Sequence, residues 1–366
     1  MVNEFFYKQP VRIWFGAGKF HELDKVLAEL GCKKCVLVCG RHFAPEAKAM
    51  MAEIPQIAAV FGEVEQNPQL SGAAETVRLA RECGADAIVG VGGGSSIDTA
   101  KFAAAAAPGD ADALDYYTGK VAFPAKPLTI VAVPTTAGTG SEVTQVSVMS
   151  HGEEKRSINN PLFMPTAAIV DPELTMSVPQ RTTMNTGLDA LAHALEGFWS
   201  NNHQPIADLF AVEAVRVITQ NLETAWRDGS NKEARANMLY GSMLAGLAFS
   251  NPRTAGCHAC SYPLSEHYHL PHGEACAFTL DSFVRINADE RLEDLCHKAG
   301  LSGTEELAQM IAKLKELAGL RRRLGDLGEN VDLDMLARES AAHVLMKNNP
   351  VAMDETALRE MFAKLA

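Results

Sequence analysis

Apolar positions in the first half of the chain follow two alternating rhythms. Short continuous apolar runs at 11–15, 35–39, 57–61, 87–91 and 128–133 read as buried strands. Between them, 20–30, 44–53 and 71–83 carry apolar residues at helical spacing, and another helix opens from the glycine-rich stretch after Val91. Strands separated by helices of this size predict βαβ units and a parallel, Rossmann-like sheet. After Pro179 the β-branched runs disappear. Helical spacing dominates at 185–200, 206–227, 232–249, from about 256, and at 305–317, 333–344 and 354–365. The pattern predicts an α/β domain over 1–180 and an all-α domain over 181–366, with a cleft between them. A length of 366 residues fits two domains of roughly 150 or more each.

Composition narrows the function classes. Apolar residues are 47% and charged residues 21%, as in globular proteins, so disordered and fibrous classes are excluded. The net charge of −12 argues against a nucleic-acid binder and against a protein held on an anionic membrane. The Ala-rich run from Phe102 to Pro108, bounded by Lys101 and Asp110, is too short to span a bilayer. The first ten residues lack the basic and apolar regions of a signal peptide, which predicts a cytoplasmic protein. Eight cysteines in a chain this long do not make a disulfide scaffold. Cys32/Cys35 and Cys257/Cys260 each form a C-x-x-C, but Cys35 and Cys39 lie in a strand-like run where buried thiols are ordinary.

Two loops carry candidate chemistry. Gly92-Gly93-Gly94-Ser95 follows a strand and opens a helix, where backbone N–H groups and the helix dipole can hold a pyrophosphate. A tight turn that merely needs glycine is the plainer alternative. Counted from Gly90, the spacing is not G-x-G-x-x-G, because Ser95 stands where the third glycine would be. The second loop, Pro134-Thr135-Thr136-Ala137-Gly138-Thr139-Gly140-Ser141-Glu142, also follows a strand. Farther on, Asp189 and His193 stand four apart on one helical face, and His258, His267, His269 and His272 lie within 15 residues. Such an Asp–His pair is often only an ion pair. With His258 and His272 it becomes a three-His, one-carboxylate set suited to a first-row divalent metal.

The Gly-Gly-Gly-Ser-x-x-Asp-x-x-Lys segment at 92–101, the Pro-Thr-Thr-x-Gly-Thr-Gly-Ser-Glu loop, and the Asp-x-x-x-His and Pro-His-Gly segments resemble the group III, iron-containing alcohol dehydrogenases. The resemblance covers nearly the whole chain, with the motifs in family order. It implies the dehydroquinate-synthase-like architecture of that family, with metal ligands Asp189, His193, His258 and His272 holding Fe2+ or Zn2+. It implies NAD(H) or NADP(H) held by Gly93, Gly94, Ser95, Asp98, Thr135, Thr136 and Ser141, with Asn67 in an Asn-Pro turn and Lys155 near the nicotinamide ribose. It also implies a homodimer. Asp98 as a helix cap and Asn67 as a plain turn residue are the alternatives at those positions.

Two departures from the family pattern bear on specificity. Gly40, followed by Arg41, stands where many members carry an aspartate that repels the NADP 2′-phosphate, so NADP(H) becomes possible. Tyr262 replaces a histidine ten residues before the last ligand, and the surrounding segment resembles the phosphonoacetaldehyde reductase branch, with sulfoacetaldehyde reductases near in chemistry. In that branch a basic residue, here Arg253, precedes the first of these histidine ligands by five positions. A guanidinium there can pair with a phosphonate, sulfonate or carboxylate. The implied reaction is hydride transfer between nicotinamide and a small aldehyde or primary alcohol polarised by the metal, with His267, or secondly Tyr262, relaying the proton. Alternatives are a dehydrogenase for neutral short-chain aldehydes and a dehydroquinate-synthase-like lyase. A metal hydrolase would have no use for the two glycine loops. An acidic protein can still hold a locally positive site, so the net charge does not exclude a small anionic substrate.

Overall fold

A computed structural model describes residues 4–152 and 154–365, which fall into two compact units. The first comprises 9–136 and 141–176. The second comprises 4–8, 137–140 and 177–365.

In the first unit the strands are β1 (Arg12–Phe15), β2 (Cys35–Gly40), β3 (Ile57–Val64), β4 (Ala87–Gly92), β5 (Thr129–Pro134), β6 (Val146–His151), β7 (Glu154–Asn159) and β8 (Ala167–Val170). The helices are α1 (Leu23–Glu29), α2 (Ala44–Glu53), α3 (Leu70–Cys83), α4 (Gly94–Ala106) and α5 (Ala113–Thr118). Among the described residues six strands form a parallel sheet in the order β1-β8-β5-β4-β2-β3, and β6 and β7 form a separate antiparallel hairpin. Strands β2, β4, β5 and β8 are buried on both faces, which is why they read as unbroken apolar runs. Val36, Val38, Ile88 and Ile130 pack one face against α3, α4 and α5. Cys35, Leu37, Cys39, Val89 and Val131 pack the other. The chain steps from β2 outward to β3, then returns to β4 and proceeds the other way to β5. The strand order therefore reverses between β2 and β4. Their carboxyl ends, Gly40 and Gly92, flank the crevice where open α/β sheets take ligands.

The second unit contains α6 (Gln180–Trp199), α7 (Pro205–Arg227), α8 (Lys232–Phe249), α9 (Gly256–Tyr268), α10 (His272–Ile286), α11 (Glu290–Lys298), α12 (Thr304–Leu317), α13 (Leu333–Ala342) and α14 (Glu355–Ala363). Among the described residues no helix is long and apolar enough to cross a membrane. The parallel sheet and the helical second half agree with the predicted fold class. The predicted set of elements lacked β8, the β6–β7 hairpin, α5, α10 and α11. Strand β8 is a four-residue Ala-rich run, and the hairpin alternates polar and apolar residues too weakly to stand out. Helix α6 begins at Gln180 and not at 185, because Pro179 sets an extended N-cap.

Candidate metal and dinucleotide sites

Three helices bring the metal candidates together. Helix α6 carries Asp189, His193 and Glu196 at i, i+4 and i+7, which is one face. Helix α9 places His258 in its first turn, and α10 begins on His272. Gly273 makes the last approach possible. A Cβ there would fall 2.1 Å from the Asn185 carbonyl oxygen and 3.3 Å from Asp189 Cβ, so only glycine lets the first turn of α10 lie this close to α6.

The resulting distances are short. Asp189 Oδ1 lies 3.7 Å from His258 Nε2, 3.8 Å from His272 Nε2 and 3.9 Å from His193 Nδ1. The His193 ring stacks on Phe249 at 4.2 Å and stands 4.5 Å from the His258 ring. Donor atoms of Asp189, His258, His272 and Cys276 all lie within 4.8 Å of one another. Two imidazoles are held from behind. Fully buried Glu196 accepts the backbone N–H groups of Ala255 and His258 at 3.0 and 3.2 Å, and its other oxygen accepts from His258 Nδ1. His193 Nδ1 donates to the Gly138 carbonyl at 3.2 Å. A ring proton held on Nδ1 by such a bond is the arrangement that leaves Nε2 for a metal.

The electrostatics are those of a site built for a cation. Burial pushes the Asp189 carboxyl up to about 7. Burial, with the neighbouring His258 and His272, holds His193 well below its ordinary value and therefore neutral. Among the described residues, buried Asp189 Oδ1 and His258 Nε2 make no hydrogen bond of ordinary geometry, and the Cys276 thiol is the weak donor beside them. Unpartnered buried polar atoms cost on the order of 1–3 kcal/mol each, and a divalent cation satisfies both at once. The donors fit such an ion. His272, 43% exposed, leaves the cluster open on one side.

The dinucleotide candidates lie in the α/β unit. Gly93 caps α4 without a side chain, so no side chain occupies the N–H groups of the helix's first turn. Gly92 adopts φ +150°, and a Cβ there would sit 2.4 Å from Ser96 Oγ. A Cβ on Gly93 would meet Thr136 Oγ1 at 3.3 Å, and Thr135 N–H donates to the Gly92 carbonyl at 3.0 Å. The first glycine loop thus stands beside Thr135 and Thr136. Lys155 Nζ donates to Asn67 Oδ1 at 3.4 Å, so these two residues also meet.

Asp98 and Ser141 are committed elsewhere. Ser141 donates to Asp98 at 2.6 Å, and Val148 N–H donates to the other Asp98 oxygen at 2.9 Å. Fully buried Lys101 donates to Ser141 Oγ at 2.7 Å, Val146 O at 2.9 Å and Thr144 Oγ1 at 3.3 Å. Burial pulls its ammonium down to about 8, and burial pushes adjacent Glu142 up to about 7.

The remaining candidates separate. Arg253 is half-buried with φ +72°, and among the described residues its guanidinium makes no hydrogen bond or ion pair. Burial lowers its pKa, and Tyr262 raises it. Tyr262 stacks on His343 at 4.2 Å. His267 Nε2 pairs with Glu339 at 2.9 Å, with both side chains more than a third exposed. All eight cysteines are free. The two C-x-x-C pairs form no metal cluster among the described residues. Sequence reasoning missed Lys101, Glu196 and Cys276. The signal was the helical spacing applied to Asp189 and His193, since Lys101 is i+3 from Asp98 and Cys276 is i+4 from His272.

A family model described as iron-containing alcohol dehydrogenase matches residues 10–172, and one for the C-terminal part of the Fe-containing alcohol dehydrogenase family matches 183–366. The chain belongs to the iron-containing alcohol dehydrogenase family. It is 37% identical over 318 residues to long-chain-alcohol dehydrogenase 1 of Geobacillus thermodenitrificans, covering 83% of this chain and 80% of that protein. It is 31% identical over 311 residues to the sulfoacetaldehyde reductase of Bilophila wadsworthia, covering 80% of each. The solved sulfoacetaldehyde reductase from Bifidobacterium kashiwanohense, in complex with NAD+, matches with a TM-score of 0.94 at 38% identity, over 100% of this chain and 99% of that one. As a member of the iron-containing alcohol dehydrogenases, the chain is a metal-dependent, nicotinamide-linked oxidoreductase of alcohols and aldehydes. The lyase alternative is not favoured.

Proposed function

We propose that this enzyme reduces a small anionic aldehyde of the sulfoacetaldehyde or phosphonoacetaldehyde class with NADH or NADPH. The carrying observation is Arg253, a half-buried guanidinium that makes no hydrogen bond or ion pair among the described residues, in a left-handed backbone conformation. Strain and desolvation at one residue mark a function more often than a packing role. A bidentate pairing with a sulfonate or phosphonate would satisfy it. The similarity to two sulfoacetaldehyde reductases supports the same class.

In this reading Asp189, His193, His258 and His272 hold the metal, and Glu196 and the Gly138 carbonyl orient two of the imidazoles. A bound divalent ion supplies Lewis acidity at the carbonyl oxygen, and the nicotinamide supplies the hydride. Gly93, Gly94 and Ser95 hold the pyrophosphate on the α4 N-terminus, beside Thr135 and Thr136. Lys155 and Asn67 flank the nicotinamide end. Asp98 and Ser141 act on the cofactor through the loop they brace with Lys101. Tyr262, stacked on His343, is the better placed proton relay, because His267 is held by Glu339. Gly40 with Arg41 admits NADPH. Free cysteines support a reducing, cytoplasmic location. A homodimer belongs to this reading, with the outer strand β1 of the sheet as its candidate seam.

The test is a substrate panel with both dinucleotides: sulfoacetaldehyde and phosphonoacetaldehyde against propanal, butanal and lactaldehyde. The proposal expects kcat/KM at least tenfold higher for an anionic aldehyde. Equal or higher values for butanal would place the enzyme with the neutral-alcohol dehydrogenases.

A further inference from the structure

We infer that Cys276 is a further ligand of the metal, through its thiolate. The inference rests on the metal-dependent reading above and adds a sulfur donor that the family resemblance does not include. Cys276 stands one turn after His272 on α10, so both side chains leave the same face of the helix. It is fully buried, and its Sγ lies 3.8 Å from His272 Nε2. Donors that share one ion at bond lengths of about 2.0–2.3 Å stand roughly 3–4 Å apart. The separations meet that spacing: 3.7 Å for Asp189–His258, and 3.8 Å for both Asp189–His272 and His272–Cys276. Two of the facing atoms, Asp189 Oδ1 and His258 Nε2, are the buried orphans that already point to an ion.

Ligation replaces the S–H bond by a sulfur–metal bond and releases the proton to solvent. Two consequences follow. Asp189 and Cys276 together bring two negative charges to a divalent ion, so the site is roughly neutral. The softer donor also biases occupancy toward zinc over iron.

The experiment uses the full chain, stripped and reloaded with cobalt. The inference expects a near-ultraviolet thiolate-to-cobalt charge-transfer band beside the visible ligand-field bands. The charge-transfer band should vanish in Cys276→Ser while the ligand-field bands remain. X-ray absorption of the zinc-loaded wild type needs no variant and should require one sulfur at about 2.3 Å. Equimolar zinc and iron should load in a ratio that falls at least tenfold in Cys276→Ser. Ligand-field bands without a charge-transfer band, a band that persists in Cys276→Ser, or a zinc shell of only nitrogen and oxygen would overturn the inference and leave the metal enzyme standing. Failure of the wild type to bind cobalt or zinc stoichiometrically would overturn the metal-dependent reading, and this inference with it.

Discussion

Two buried polar clusters, one in each unit, face the same physical problem and resolve it differently. Lys101, Asp98 and Ser141 sit in the α/β unit with the ammonium donating three bonds and both carboxylate oxygens accepting one. Asp189, His193, His258 and His272 sit in the helical unit, where a carboxylate oxygen and a ring nitrogen stay unpartnered. The first network is complete as folded and reads as a brace. The second leaves two polar atoms for a cation to satisfy. Burial of charge alone therefore does not mark a functional site. What separates the two is whether the protein supplies every partner itself.

The largest expected effect breaks the second cluster. Asp189→Ala should remove the metal and lower kcat/KM by about 10³-fold or more, corresponding to the several kcal/mol that Lewis-acid stabilisation contributes. Metal content and steady-state rates check this. The metal-free variant should unfold no more easily than the metal-free wild type, because an orphaned buried carboxylate is gone. The brace should behave in the opposite way. Lys101→Met leaves Asp98 buried without its cation and should cost about 3–5 kcal/mol in denaturant unfolding. Its pH signature has a definite sign. The folded ammonium titrates near 8, below the ordinary lysine value, so the unfolded chain binds more protons between about 8 and 10.5. Wild-type stability should gain from this group as pH rises through that window, and the Met variant should lack the gain.

Smaller effects sharpen the specificity assignments. Arg253→Ala should lower kcat/KM for sulfoacetaldehyde about 10²-fold, as loss of a charge-assisted bidentate contact predicts, and change propanal less than about threefold. Equal losses would remove Arg253 from the substrate site. Gly40→Asp tests the switch-point crevice. A Cβ there meets only the Val64 carbonyl at 3.6 Å, an ordinary contact, and Gly40 is not at positive φ, so the side chain fits. The new carboxylate should shift preference from NADPH toward NADH by about tenfold in a ratio of kcat/KM values. An unmoved ratio would place the adenosine ribose away from β2.

Much of this was legible in the chain, for reasons that also define what was not. The buried strands β2, β4 and β5 show as apolar runs because both faces are covered, and the glycines at 92–94 stand out because a bare backbone has one residue type. Asp189 and His193 show through their spacing. Lys101 and Glu196 resemble ordinary polar positions on helices, and only the packed neighbours reveal that they are fully buried. Cys276, between Ala275 and Ala277, reads as a small core residue. Its distance to His272 is a local helix property that spacing could have supplied. Its approach to Asp189 depends on Gly273 and on the packing of α10 against α6, which no local pattern encodes.

The smallest expected effect is also the sharpest test of where the helical site ends. His267 lies five residues before His272, and in sequence it belongs to the histidine cluster. In space its Nε2 is held by Glu339 at a position more than a third exposed, while Tyr262 stacks on His343. An exposed ion pair of this kind contributes at most about 1 kcal/mol. His267→Ala should leave kcat and the pH–rate profile within about twofold of wild type, whereas Tyr262→Phe should lower kcat and flatten the basic limb of the profile. A large loss or a displaced limb in His267→Ala would return the proton relay to the histidine that the spacing suggested, and would extend the site from the buried cluster to the outer end of α9.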